Sequence, residues 1–182
     1  MLKKEKTLKK AKIYSGKIVN FYCDTVKLQN GKKAIREYIT HRGAAAILPV
    51  LDRNKIILIR QYRYPVKKFM LEIPAGKLDR NETPLSCIKR ELIEETGFKA
   101  GRIIYLLTYF PSCAISTEAI HLFAGLNLKP AKMKKDEDEF LEKIILPFGK
   151  ALKMVKDKKI TDSKTIIALL YWKAFLQDLK SL

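Results

Sequence analysis

The stretch "RELIEETGF", Arg90–Phe98, places three glutamates, Glu91, Glu94 and Glu95, within about one and a half helical turns. Acids are scarce in this chain. Lys and Arg number 37 against 19 Asp and Glu, giving a net charge of +18. Like charges at helical spacing repel and destabilise the helix that carries them. Two readings are open: a solvated charged face, or a place where a cation is expected.

The flanking residues define the element. Pro84 suits a first helical turn, and Gly97 suits the C′ position that ends one. Leu85, Ile88 and Leu92 fall at i, i+3 and i+7 and predict one apolar stripe. Glu91 and Glu95 stand one turn apart at the rim of that stripe, pointing along the edge of the core. Two carboxylates so held offer oxygen ligands to a hard divalent cation; Mg²⁺ accepts one or two carboxylates together with substrate phosphates and waters. Glu94 lies further round, Glu82 enters from the preceding loop, and Arg90 is placed to pair with one of these acids.

Upstream, "KIVNFYCDTVKL" (17–28) and "KKAIREYITH" (32–41) flank "QNG" and predict a β-hairpin. "AAAILPVLD" (44–52) and "KIILIRQYR" (55–63) repeat that scheme around Asp52-Arg53-Asn54, and their apolar runs predict strands buried on both faces. "FMLEIPAG" (69–76) reads as a further strand. Downstream, strands are predicted over 102–110, 118–128 and "LEKIILPF". An acidic loop, "KKDEDEF" (134–140), precedes the last of these, and helices follow over about 149–157 and 162–179, the last capped by Asp162 or Ser163. Strands mixed with few helices predict an α+β or layered α/β/α domain.

Length and composition set the outer bounds. A chain of 182 residues with 47% hydrophobic and 31% charged residues suits one globular domain with a small amino-terminal extension. Residues 1–42 are assigned to that basic segment and hairpin, and 43–182 to the main domain. No apolar run reaches the roughly 18 residues of a membrane span, and the basic start lacks an apolar signal region, which points to the cytoplasm. Cys23, Cys87 and Cys113 form no CxxC pair and read as reduced thiols; Cys87 reads as packing. His41 and His121 read as strand residues without ligand partners. The basic surplus is spread along the chain without a nucleic-acid-binding module, so it reads as a general field that also favours a phosphate-bearing substrate.

Gly76, five residues, Glu82, seven residues and then "RELIEETGF" match the Nudix box, G-x5-E-x7-R-E-U-x-E-E-x-G-U, where U is a bulky apolar residue. The chain therefore resembles the Nudix hydrolases. The resemblance implies an α/β/α sandwich around a mixed β-sheet, here with an N-terminal β-hairpin extension. It also implies metal-assisted hydrolysis of a nucleoside diphosphate linked to another moiety. By the same resemblance, Glu91 and Glu95 ligate Mg²⁺ or Mn²⁺ with Glu94 assisting and the Ala75 carbonyl completing the shell. Arg90 orients the carboxylates, Glu82 supports them, and Gly76 and Gly97 shape the motif.

Outside the box, "IRQYRYPV", "EIPAGKLDRNETP", "DEDEF" and "YWKAFL" resemble the bacterial ADP-ribose pyrophosphatases. That likeness implies a homodimer with strand exchange. It assigns Arg63 to substrate phosphate, Arg36 and Glu37 to the adenine end, and Glu137 first, Glu139 second, to the role of catalytic base or metal ligand. Glu118 matches an acid that follows a Ser-Pro-Gly turn in that group. Here the turn is Ser112-Cys113-Ala114, which leaves the identity of the sugar open. The expected reaction is Mg²⁺-dependent cleavage of ADP-ribose to AMP and ribose 5-phosphate. The alternatives are another nucleoside diphosphate sugar or, from a different class, a nucleic-acid-associated binding protein on the same scaffold.

Overall fold

The computed structural model describes residues 2–132 and 140–176, and the chain divides into two compact units. The first comprises the chain through Gly43 together with Phe110–Ala119. Its centre is β3 (Asn20–Lys27), paired antiparallel along its length with β4 (Lys33–Thr40) from Asn20↔Thr40 to Lys27↔Lys33. The hairpin expected around "QNG" is present and closes with the Gly31 amide donating to the Leu28 carbonyl at 3.0 Å.

The other edge of β3 carries two short strands that sequence reading leaves inside a basic tail, β1 (Lys6–Lys9) and β2 (Lys12–Ser15). Both are exposed throughout, so no apolar alternation announces them. They are anchored by Asp24, which is buried; it accepts from the Ala11 amide at 3.1 Å and from the Tyr38 hydroxyl at 3.0 Å. Segment 110–119 joins this unit through bonds from the Ile39 amide to the Ile115 carbonyl and from the Thr117 amide to the Ile39 carbonyl.

The second unit contains β5 (Ala44–Pro49), β6 (Lys55–Arg63), β7 (Lys68–Glu72), β8 (Ala75–Lys77), α1 (Pro84–Thr96), β9 (Phe98–Tyr109), β10 (Ile120–Pro130), β11 (Leu141–Pro147), α2 (Phe148–Lys156) and α3 (Ser163–Phe175). One sheet has the order β8-β5-β10-β9 and is mixed, because β5 and β10 run parallel while the other pairs are antiparallel. A second, antiparallel sheet has the order β11-β6-β7.

Alternation along β5 builds the layers. Ala45 and Ile47 pack with Cys87, Ile88 and Leu92 of α1, whereas Ala46 and Leu48 pack with Phe148 and Ala151 of α2 and with Ala168, Leu169 and Trp172 of α3. A strand covered on both faces needs apolar residues at every position, which is why "AAAILP" shows no period of two. This is the expected α/β/α sandwich.

Three expectations are corrected. The β5–β6 hairpin is absent: the two strands lie in different sheets and share only an isolated bridge, Val50↔Ile56. The strand expected over 69–76 is two strands, β7 and β8, because Ile73 and Pro74 carry the chain from one sheet to the other. Leu85 does not belong to the buried stripe of α1; it is exposed, and the buried face is Cys87, Ile88, Glu91, Leu92, Glu95 and Thr96.

The ends of α1 follow the sequence closely. Thr83 caps it, with reciprocal bonds to Ser86 and Pro84 at the first helical position. Gly97 ends it at φ 74°, donating its amide to the Ile93 carbonyl. A β-carbon is disfavoured at that φ, so Gly97→Ala is expected to lower stability by about 1–2 kcal/mol, read as a reduced urea midpoint at unchanged slope.

Candidate active site

Helix α1 lies against β5 and β8 with Glu91 and Glu95 on its buried face. The expectation that these acids stand at the rim of the stripe is corrected: Glu91 is 8% and Glu95 2% exposed. Burying two carboxylates is costly unless each is hydrogen-bonded or paired. The structure meets that demand with two devices.

The first is β8. The Ala75 amide donates to Glu95 Oε2 at 2.9 Å. Beside it, Gly76 leaves the space that Glu91 fills: a β-carbon at residue 76 would lie 1.6 Å from Glu91 Oε1. The absence of a side chain at Gly76 is thus what admits the Glu91 carboxylate.

The second device is Arg90. Its Nη1 donates to Glu91 Oε1 at 2.7 Å and to Glu94 Oε2 at 2.9 Å. Its Nε and Nη2 each donate to the Glu82 carboxylate at 3.2 Å. One guanidinium thus gathers three of the four box acids, as the planar fork of arginine allows. The bonds to Glu82 foremost, with those to Glu91 and Glu94, hold Arg90 firmly protonated, and Arg90 in turn lowers Glu82 below the usual carboxylate value. Cys87, on the same helix, lies between these groups, its Sγ 3.6 Å from the carbonyls of Gly76 and Lys77.

A further set of charges stands on β6, β7 and α3. Arg63 grips Glu72 side-on, Nε to Oε1 at 2.7 Å and Nη2 to Oε2 at 2.6 Å. Glu72 is buried and also accepts from Lys164 Nζ, which bonds Asp162 Oδ1 at 2.9 Å. Asp162 caps α3 through the Thr165 amide and accepts the Thr165 hydroxyl at 2.6 Å; that hydroxyl accepts the Ile73 amide at 2.8 Å. Burial pushes the Glu72 carboxyl up, but Arg63 and Lys164 outweigh it and hold it below the usual range. The bond to Glu72 raises Arg63, and the negative charge of Glu95 adds to this.

Of this set, the sequence marks Arg63 as a site residue and Asp162 as a helix cap, but not Glu72, Lys164 or Thr165. The missed signal is Lys164: it begins the row Lys164, Ala168, Trp172 at helical spacing, a charge in line with a buried face.

The remaining candidates belong to the first unit or lie elsewhere. Arg36 is paired with Glu5, and Glu37 is exposed on β4 opposite Cys23. Glu118 Oε1 lies 3.5 Å from His41 Nδ1, which accepts the Gly43 amide. Ser112 closes the altered turn, its carbonyl accepting from the amides of Ile115 and Ser116. His121 is neutralised further by burial and bonds Thr108 at 2.7 Å. Glu137 and Glu139 lie outside the described residues.

The donors at Glu91, Glu95, Glu94 and Ala75 are hard oxygens, the chemistry that Mg²⁺ and Mn²⁺ select. Among the described residues no three His, Cys, Asp or Glu side chains are already grouped for a metal ion. Here Arg90 organises the acids, and a cation would draw further oxygens from backbone, water or substrate. Also among the described residues, no helix is long and apolar enough to cross a membrane.

One outcome follows for stability and one for geometry. Glu82 and Glu72 have lowered folded-state values, so they favour the fold above the ordinary carboxylate pKa, and that contribution is lost as pH falls through the folded values. Arg90→Met is therefore expected to narrow the difference in unfolding free energy between about pH 7 and about pH 3, measured by urea titration. Gly76→Ala is expected to expel Glu91 from its place, seen as a changed Glu91 side-chain position in a crystal structure of the variant.

A family model, NUDIX domain, matches residues 40–169. The chain is 42% identical over 169 residues to a methanol dehydrogenase activator of Bacillus methanolicus, covering 92% of this chain and 91% of that one. It is 40% identical over 169 residues to an ADP-ribose pyrophosphatase of Bacillus subtilis, with the same shares covered. A GDP-mannose pyrophosphatase of Yersinia enterocolitica is 37% identical over 147 residues, 75% of this chain and 76% of the other. The crystal structure of an ADP compounds hydrolase superposes with a TM-score of 0.89 at 22% identity, covering 100% of this chain and 99% of that one, and shows the same fold. With a NUDIX model over residues 40–169 and relatives at 40% identity or more over 92% of its length, the chain belongs to the Nudix hydrolase family.

Proposed function

We propose that the protein hydrolyses ADP-ribose to AMP and ribose 5-phosphate with a divalent cation, Mg²⁺ or Mn²⁺. The observation that carries this is the burial of Glu91 and Glu95 against Ala75 and Gly76 under the hand of Arg90. Acids so deeply placed are held by an amide and a guanidinium at a cost in desolvation, and their clustered oxygens supply the hard donors that a divalent cation selects. The likeness to the B. subtilis ADP-ribose pyrophosphatase over nearly the whole chain supports the substrate.

In this reading Glu91 and Glu95, with Glu94 and the Ala75 carbonyl, hold the cation. A bound divalent ion neutralises charge on the diphosphate oxygens. Arg90 fixes the rotamers of Glu91 and Glu94 while Glu82 holds Arg90 from the other side. Arg63 takes a phosphate oxygen, and Arg36, Glu37 and Glu118 serve the rest of the substrate. Glu137 or Glu139 accepts a proton from the attacking water; the water oxygen bonds to one phosphorus, and the bridging oxygen leaves with the other phosphate. Segment 1–42 serves dimerisation, and the enzyme works as a cytoplasmic homodimer.

A second reading is another nucleoside diphosphate sugar. The Ser112-Cys113-Ala114 turn in place of Ser-Pro-Gly and the likeness to a GDP-mannose pyrophosphatase favour it. A nucleic-acid-binding role has less support, because binding would not require four arranged acids.

Purified protein with ADP-ribose and Mg²⁺ is expected to release AMP, followed by chromatography, and a panel of nucleotide sugars ranks the two readings. Glu95→Gln is expected to lower kcat by about a hundredfold or more with an unchanged circular dichroism spectrum. Undiminished turnover by that variant would place the cation elsewhere.

A further inference from the structure

We infer that Lys164 is a positioning residue for an anion subsite on Arg63, acting through Glu72. The inference rests on the reading of a diphosphate substrate given above.

Glu72 uses both oxygens on Arg63 and shares Oε2 with Lys164. It is 1% exposed, so water cannot compete for it or let it turn. The side-on grip consumes Nε–H and one N–H of Nη2. Arginine carries five N–H donors, and the other three on Arg63 have no partner among the described residues. The Arg63 side chain is 40% exposed, and its guanidinium is locked along one edge by Glu72. A planar cation locked on one edge and open on the other suits a phosphate, which accepts two parallel N–H bonds.

Lys164 supplies what Arg63 cannot supply alone. A buried carboxylate with a single cation would draw that cation inward to satisfy itself. With Lys164 on the same oxygen, and Asp162 fixing Lys164, Glu72 is satisfied from the core side and Arg63 is left to present its outer edge. The network also places Arg63 relative to the acids of α1. Thr165, bonded to Asp162, holds the Ile73 amide; the Pro74 carbonyl accepts from Ile47; and the Ala75 amide holds Glu95. Arg63 and Glu95 are therefore tied to the same four-residue span, 72–75, and Glu95 is near enough for its charge to be felt at Arg63.

The test is a double-variant cycle with Lys164→Met and Arg63→Ala, read by calorimetric binding of inorganic pyrophosphate and by KM and kcat on whichever nucleotide sugar the wild type turns over. Lys164→Met alone is expected to weaken pyrophosphate binding and raise KM by about tenfold, with kcat changed less. In the Arg63→Ala background it is expected to add nothing, because its effect passes through Arg63. Lys164→Arg, which keeps the charge, is expected to restore most of the binding. Should Lys164→Met fail to fold, Asp162→Asn, which loosens Lys164 without emptying the site, is expected to show the same non-additivity at smaller amplitude.

An equal loss in both backgrounds, a fall in stability with unchanged binding and KM, or no pyrophosphate binding by the wild type would each overturn the inference. If the wild type bound pyrophosphate with the expected dependence on Lys164 but hydrolysed no nucleotide sugar, the proposed function would fail and the subsite would stand.

Discussion

Two carboxyl groups placed in the protein interior are the constraint around which the second unit is arranged. Glu95 leans on a backbone amide, and Glu91 lies in the space left by a missing side chain and on a guanidinium. Neither could be held by a helix alone. They require a strand edge brought alongside at close range, and that is what β8 provides. Net stability in a folded domain is a small difference between large terms, so a fold that keeps such groups buried must satisfy nearly every one of their lone pairs.

The chain from Glu72 to Gly76 joins the two sheets, and every residue in it is held. Glu72 is held by its side chain, Ile73 through its amide, Pro74 through its carbonyl, Ala75 through its amide, and Gly76 is tight against Glu91. A crossing between sheets would ordinarily be a loop with room to move. Here α3 reaches it from one side and α1 from the other, so the position of the acids depends on a helix whose sequence lies about seventy residues further on.

Much of this was legible in the residues. Pro84 and Gly97 marked the ends of α1, and the unbroken apolar run of β5 announced a strand covered on both faces. The box spacing singled out Gly76, Glu82, Arg90, Glu91, Glu94 and Glu95 as a group, and the structure brings Arg90 onto Glu82, Glu91 and Glu94. What escaped had physical causes. Adjacent apolar strands joined by a turn-like triplet look the same whether they pair or part, so β5 and β6 read as a hairpin. The exposed, lysine-bearing strands β1 and β2 carry no burial pattern. The Glu72–Lys164 contact joins residues 92 apart, a distance over which no local spacing speaks.

Cys87 illustrates how the same surroundings act on a different group. Burial, and after it the negative charges of Glu82 and Glu91, push its thiol up to about 12. The thiolate is the form that attacks peroxides, alkylating agents or disulfides, and these surroundings favour the thiol, on the helix that carries the acids. Burial first, and the acids' field after it, deny the cysteine its anion on the very helix that gathers the oxygens a cation would use.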